Sequence, residues 1–384
     1  MTTGIEQRAD PRRWWALAAV SIAQLMFAVD GTIMNIALPS VGATLRMSET
    51  ASWWVVTSYA LAFGVLLLPG GRVGQWIGYR RALLVGLVGF ALASLLGGLA
   101  TAGWMLITAR SAQGVFGSLL TPAALALLST TFSTAERGRA FGIFATIMGS
   151  GSAIGMLAGG LLTQYLNWRW ALLVNVPITA IAIVLALYAV RPGSVDQRSG
   201  PLFPLALLRH RPRTAAYVAM FAWGIAVISA FLQLSFFLQD TLGYDAARAG
   251  LAFLAYPLAI QVGVRVVRGR MTVVPARTLL VPGLVLIGSS YFLLTRLTPE
   301  SAYLPNVVLV FLLLGLGTSL VLPVANSTAT LGAGSSAGVA GAAGSTSVQL
   351  GAALGTAVIP QGSVVTAVLL VAGAGLVWAI GRQP

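Results

Sequence analysis

The chain has 384 residues, 57% of them hydrophobic and only 8% charged, with a mean hydropathy of +0.88. A soluble domain carries about 25% charged residues, so this composition excludes a soluble globular protein. Cysteine is absent, which excludes a disulfide framework, a thiolate metal site and thiol catalysis.

Apolar stretches run near 14–38, 51–69, 82–101, 104–130, 138–163, 169–190, 214–238, 247–267, 278–295, 303–324, 336–358 and 362–380. Each is close to the length of a bilayer-crossing helix and lacks the two-residue alternation of a barrel strand. The fold class expected is an all-α membrane protein of about twelve transmembrane helices. The first stretch is long, contains Asp30 and lacks a small-residue cleavage site. It is therefore expected to stay as the first helix rather than be removed as a signal peptide.

All 23 basic residues are arginine. With a cytoplasmic N-terminus, eighteen fall in inner segments, four (Arg46, Arg169, Arg248 and Arg296) in outer segments, and Arg110 inside a span. This bias predicts that both termini face the cytoplasm across the inner (plasma) membrane of a cell. It also accounts for the formal charge of +14 as topology plus attraction to anionic membrane lipid, so no nucleic-acid partner is expected.

The longest polar stretch is 191–213, with four prolines, two glycines, five arginines and the only histidine, His210. It reads as a cytoplasmic linker between residues 1–190 and 214–384, each a six-helix bundle. The halves share a landmark: Gly71-Arg72 with Arg81-Ala-Leu-Leu-Val-Gly86 after the second span, and Gly269-Arg270 with Arg277-Thr-Leu-Leu-Val-Pro-Gly283 after the eighth. Such internal repeats are common in secondary transporters, whose sites lie between the halves.

Nine acids occur in the chain, and only Asp30 lies within a span. A charge at mid-helix costs at least about 2.5–3.5 kcal/mol, so an ionisable group kept there is a candidate proton or cation site. The bland reading is a neutral, hydrogen-bonded helix contact. Asp30 is placed roughly 13 Å below an outer helix end near Pro39, and Arg110 roughly 9 Å below Trp104. Similar depth favours pairing or a shared wet cavity; the alternative for Arg110 is to pin helices through backbone carbonyls. Movement of Arg110, or entry of water, changes the affinity of Asp30 for a proton.

Other polar or aromatic residues are candidates to line a substrate cavity: Gln24, Asn35, Trp54, Tyr59, Gln113, Gln233, Asn326 and Gln349. Each serves equally well as an interhelical hydrogen bond or interface anchor. Gly151, Gly155 and Gly159 repeat on one helix face, followed by Gly160, a spacing for close helix packing or for a pivot. Gly334-Ser-Ser336-Ala-Gly338 matches a hydrolase pattern, but that motif needs a strand-to-helix turn and a histidine partner. No phosphate loop or metal cluster is apparent, so neither an enzyme nor a cofactor is expected.

The run Gly70-Gly71-Arg72-Val-Gly-Gln75-Trp-Ile-Gly78-Tyr-Arg80-Arg81 resembles the signature loop of the major facilitator superfamily. Ala109-Arg110 through Gly117 resembles its fourth-helix motif, and Gly149 through Gly160 its fifth-helix antiporter motif. Asp30 to Pro39, Asn167-Trp168-Arg169-Trp170, Asn175-Val-Pro177, Phe237-Leu-Gln239 and Gln349-Leu-Gly351 are similar to the drug:proton antiporter branch, usually of fourteen helices. The resemblance implies two pseudo-symmetric six-helix bundles and alternating access. It also implies export of a hydrophobic or cationic drug or antibiotic in exchange for protons taken up on Asp30. Gly71, Arg72, Gly78, Arg80 and Arg81 would form the gating loop, and a monomer is expected. Three departures stand out: Gln75 where the family has an acid, Met156 where it has proline, and a stretch of 191–213 too short for the two extra helices. A ligand-sensing protein that does not pump, and a facilitator or importer, are the alternative readings.

Overall fold

The computed structural model describes residues 12–190, 209–267, 269, 273–332, 337–358 and 363–380. Most of the predicted linker, the Arg270 part of the second landmark and Gly334-Ser-Ser336 lie outside these residues. Fourteen α-helices follow in order: α1 Arg13–Leu45, α2 Glu49–Ile77, α3 Tyr79–Gly98, α4 Gly103–Thr131, α5 Thr134–Tyr165, α6 Trp170–Leu173, α7 Asn175–Ala189, α8 Arg211–Phe236, α9 Ala246–Ala252, α10 Ala255–Val267, α11 Arg277–Leu294, α12 Val308–Thr330, α13 Ala337–Val358 and α14 Ser363–Ile380. Ten helical stretches are long and apolar enough to cross a membrane among the described residues, with α6–α7 counted as one and α9–α10 as another.

Several boundaries differ from those expected. α1 does not stop near Pro39 but continues to Leu45 and ends on the left-handed Arg46. Proline removes one hydrogen bond without ending a helix whose neighbours hold it. Asp30 therefore lies near the middle of α1, roughly 22 Å from its Leu45 end, not in an outer half. The stretch 70–81 is also mostly helix, because α2 runs to Ile77 through Pro69. Only Gly78, at φ +87°, breaks it before α3; a side chain at that φ would be strained. α8 starts at Arg211, within the stretch expected to be linker.

The helices pack in two groups. In the first, α4 packs on α2 and α3, and α1 on α5 and α7. In the second, α8 packs on α13, α12 and α14, and α12 on α10 and α11. One end of the bundle carries Arg12, Arg13, Arg72, Arg80 and Arg81, and the opposite end carries Leu45, Glu49 and Gly98. At the arginine-rich end Arg13 pairs with Glu136 at 2.7 Å, and Arg80 donates to the carbonyl of Leu187 near the end of α7. Exposed Val85, Val88, Leu92, Leu96 and Leu99 give α3 an apolar outer face, suited to lipid.

The groups meet along α2–α13, α5–α9 and α1–α8. The named contacts lie at mid-depth or toward the end opposite the arginines. Thr57 donates to Thr356, Gln239 Nε2 to the carbonyl of Ile36 at 3.0 Å, and the N–H of Ala246 to Gln164 Oε1 at 3.3 Å.

The glycine repeat on α5 lies against α1. A Cβ at Gly151 would meet Ala28; one at Gly155 would overlap Thr32 and reach within 2.7 Å of the Val29 carbonyl; one at Gly159 would reach within 2.7 Å of the Ile33 carbonyl. Gly160 faces α9, where Ala246 leaves no room for a side chain. These glycines set how closely α5 approaches α1 on either side of Asp30. Gly155→Val should therefore destabilise the protein by about 1–3 kcal/mol through overpacking, lowering the melting temperature in detergent. Gly288→Ala, where an added Cβ meets nothing within 4 Å, should leave it unchanged or slightly raised.

Candidate functional site

Asp30 is fully buried and Arg110 is 1% exposed. Arg110 Nη1 donates to Asp30 Oδ2 at 2.7 Å. The same nitrogen donates to Gln113 Oε1 at 2.8 Å, and Nε donates to the carbonyl of Val55 at 3.2 Å. Both roles weighed for Arg110 are thus realised: it pairs with the acid and it pins α4 to α2. Its guanidinium lies 4.2 Å from the centre of the Tyr59 ring, a cation–π contact in a dry setting.

The other carboxylate oxygen is held from α4 again and from α7. Asp30 Oδ1 accepts from Gln113 Nε2 at 3.2 Å and from Asn175 Nδ2 at 2.7 Å. Ser94 Oγ accepts from Gln113 at 2.7 Å and from Asn175 at 3.4 Å. α1, α3, α4 and α7 thus converge on one anion, with α2 supplying the Val55 carbonyl and the Tyr59 ring. Taking an ion pair out of water costs several kcal/mol per charge, and it is tolerated when the remaining donors and acceptors are satisfied. Here three donors, one of them cationic, meet the carboxylate.

On one side of the pair lies an aromatic cluster. Phe27 contacts Phe63 at 4.8 Å and Tyr59 at 5.9 Å, and Phe90 lies at 6.4 Å. Gln24, two turns before Asp30, accepts from Thr121 at 3.3 Å. The partners of Asp30 all come from the first helix group, so the carboxylate points into that group rather than into the seam between the two.

The cavity candidates scatter. Gln113 and Tyr59 belong to the charge cluster. Asn35 is buried, with Nδ2 3.5 Å from the carbonyl of Gly31. Trp54 is 51% exposed, on a stripe with Leu61 and Val65 turned away from the Tyr59–Phe63 face that meets α1. Gln233 lines a cleft of about 600 Å³ between the groups at the Glu49 end, together with Ser52, Phe236 and Asp240. Gln349 lies at the α2–α13 contact, against Gly64. Asn326 is exposed near the end of α12 and bonds back to Leu322. Of the gating residues, Gly78 makes the α2–α3 break and Arg80 binds an α7 carbonyl, whereas Gly71 faces Pro122. Arg72 and Arg81 lie at the same end, Arg81 exposed.

Two members of the cluster were not singled out from sequence. Ser94 is one hydroxyl in an apolar third span. Asn175 was legible only as part of a motif. The available signal was polarity inside a span: a neutral polar side chain that deep needs a partner.

Comparison with known proteins matches the Major Facilitator Superfamily profile to residues 20–356. The chain is 39% identical to the puromycin resistance protein pur8 of Streptomyces alboniger, over 92% of this chain and 82% of that one. It is 33% identical to the cephamycin export protein CmcT of Amycolatopsis lactamdurans, over 90% and 84%. Among solved structures, a bacterial homologue of the human lysosomal transporter Spinster, inward-facing and unoccupied, superposes with a TM-score of 0.75 at 15% identity, covering 97% of this chain and 98% of that one.

The geometry sets an order of damage. Arg110→Gln leaves Asp30 buried without its counter-charge and should cost about 3–5 kcal/mol. Pairing it with Asp30→Asn should recover part of that loss. A double-mutant cycle on melting temperatures in detergent measures the difference; strictly additive losses would mean the two side chains are not coupled.

Proposed function

The chain belongs to the Major Facilitator Superfamily, and from that membership we propose that it exports a hydrophobic or cationic drug or antibiotic in exchange for protons. It is a multi-pass membrane transporter, not an enzyme. The arginine-rich end faces the cytoplasm, as do both termini, in the plasma membrane. The moving units are the two helix groups, one ending near residue 190 and the other starting near 211.

The observation that carries this reading is the buried Asp30–Arg110 pair on α1, a helix that also contacts the opposite group through Ile36. A motion that parts the groups at the Glu49 end has to break the Gln239–Ile36 and Thr57–Thr356 contacts and pull on α1. Strain on α1 loosens the donors around Asp30, admits water and lets the carboxyl take or lose a proton. Rocking then couples to proton transfer without any direct contact between acid and drug. Alternating access follows, with the groups closed at the Glu49 end in the state described here.

The driving force is sufficient. A potential of about 100 mV supplies roughly 2.3 kcal/mol per proton, and one pH unit roughly 1.4. Together they hold a neutral solute at a gradient of several hundredfold, on the order given by those two terms. The names of the relatives, puromycin resistance and cephamycin export, support a small-molecule antibiotic as cargo. Burial of the carboxylate under three donors also suits a ligand-binding protein that never opens the site.

Inverted vesicles separate these readings. Acidifying the lumen should drive accumulation of a cationic dye, and Asp30→Asn should abolish it while dye binding persists. Accumulation unchanged in Asp30→Asn would sink the coupling; binding with no accumulation in the unaltered protein would favour the sensor. The absence of native cysteine permits a second test. Thr57→Cys with Thr356→Cys should form a disulfide that halts export until a reductant is added. Export continuing across the intact cross-link would show that the groups need not part there.

A further inference from the structure

If Asp30 carries the exchanged proton, as proposed above, its surroundings must accommodate two forms of one side chain. A carboxylate only accepts hydrogen bonds, whereas a carboxylic acid also donates one. Every contact to Asp30 is a donor: Arg110 on Oδ2, and Gln113 and Asn175 on Oδ1. A buried O–H left without an acceptor is costly. The cluster as it stands fits the anion alone.

One partner has to change. Arg110 has no acceptor to offer. Gln113 is locked: its Oε1 accepts from Arg110 at 2.8 Å, and turning it would set its NH₂ against the guanidinium. Asn175 is different. Its Oδ1 is buried with no hydrogen-bond partner among the described residues. Its second Nδ2 contact, to Ser94, is long at 3.4 Å. A half-turn of the amide exchanges Nδ2 for Oδ1 and sacrifices only that weak contact.

We propose that Asn175 is the positioning residue that answers the proton state of Asp30, donating to the carboxylate and, after its amide turns, accepting from the carboxylic acid. The assignment rests on the proton-coupling reading. The proton passes between water and Asp30, and Asn175 neither gains nor loses one. Around the pair, α4 contributes Arg110 and α2 contributes Tyr59, whose ring lies under the guanidinium. α3 presents Ser94, α5 its glycine face and α7 Asn175 with Thr179, none of which titrates.

The test uses the full chain in proteoliposomes and two readouts. In dye export against external pH, Asn175→Leu should move the pH midpoint upward by about one unit, because the anion loses a charge-assisted bond and the acid only a weaker neutral one. A packing role would leave the midpoint in place, and an unmoved midpoint overturns the assignment. The second readout needs no variant at 175. Asparagine occurs five times, so isotope-labelled asparagine gives few amide bands. In infrared difference spectra between alkaline and acid pH, one labelled band should shift together with the Asp30 carboxyl band, and Asp30→Asn should remove both changes. A labelled amide indifferent to the protonation of Asp30 overturns the turning amide even if Asn175→Leu fails to fold. The two readings fail separately. Proton-dependent export surviving in Asp30→Asn takes down the coupling reading and this assignment together. Coupling lost in Asp30→Asn but an unaltered midpoint in Asn175→Leu takes down the assignment alone.

Discussion

A carboxylate and a guanidinium held out of water within one helix group constrain the rest of this molecule. Neither charge has access to solvent, so the protein replaces hydration with fixed partners. The carboxylate takes three donors, and the guanidinium takes the acid, an amide oxygen, a backbone carbonyl and an aromatic face. The charges and these partners come from four helices, and Ser94 adds a fifth by accepting from Gln113 and Asn175, so the cluster also ties those helices together. Loosening any one of them exposes an incompletely paired charge, which makes the site both rigid at rest and responsive to strain.

The second helix group is held differently. Apart from one arginine, the buried polar contacts named here are neutral: Trp223 donates to Thr318, Tyr291 to the carbonyl of Ala226, and Ser229 to that of Gly355. Its buried Arg213 binds the Ala329 and Leu331 carbonyls at the end of α12, where a cation complements the negative end of the helix. Among the described residues no acid lies in the core of this group. Among the described residues a buried acid–base pair occurs only in the first group.

Glycine gives the first group its geometry. The α5 repeat brings α1 so close that backbone carbonyls of Val29 and Ile33 flank the contact on either side of Asp30. Gly160 and Gly250 extend the close approach into the other group through Ala246 and Met156. α5 therefore touches the charged helix with one face and the opposite unit with the neighbouring one.

The helical membrane character, the family and the pairing of Asp30 with Arg110 were legible in the chain alone, whereas ten membrane-length helices stand among the described residues against the twelve expected. Long apolar runs force helices because hydrocarbon offers the backbone no partner, and a lone acid in such a run stands out against eight others in loops or tails. The fifth-helix glycines were also legible, though not which helix they meet. What only the tertiary structure decided is who meets whom. Sequence spacing reports depth along a helix but not rotation about its axis, so Gln113 and Tyr59 read as cavity lining when they complete the charge cluster. Trp54 faces outward by the same uncertainty. Ser94 and Asn175 lie on separate helices far apart in the chain and come within hydrogen-bond reach only because α1, α3, α4 and α7 pack around one carboxylate. Composition dictates that the chain crosses a membrane with a charge inside; packing alone dictates which neutral side chains make that charge tolerable.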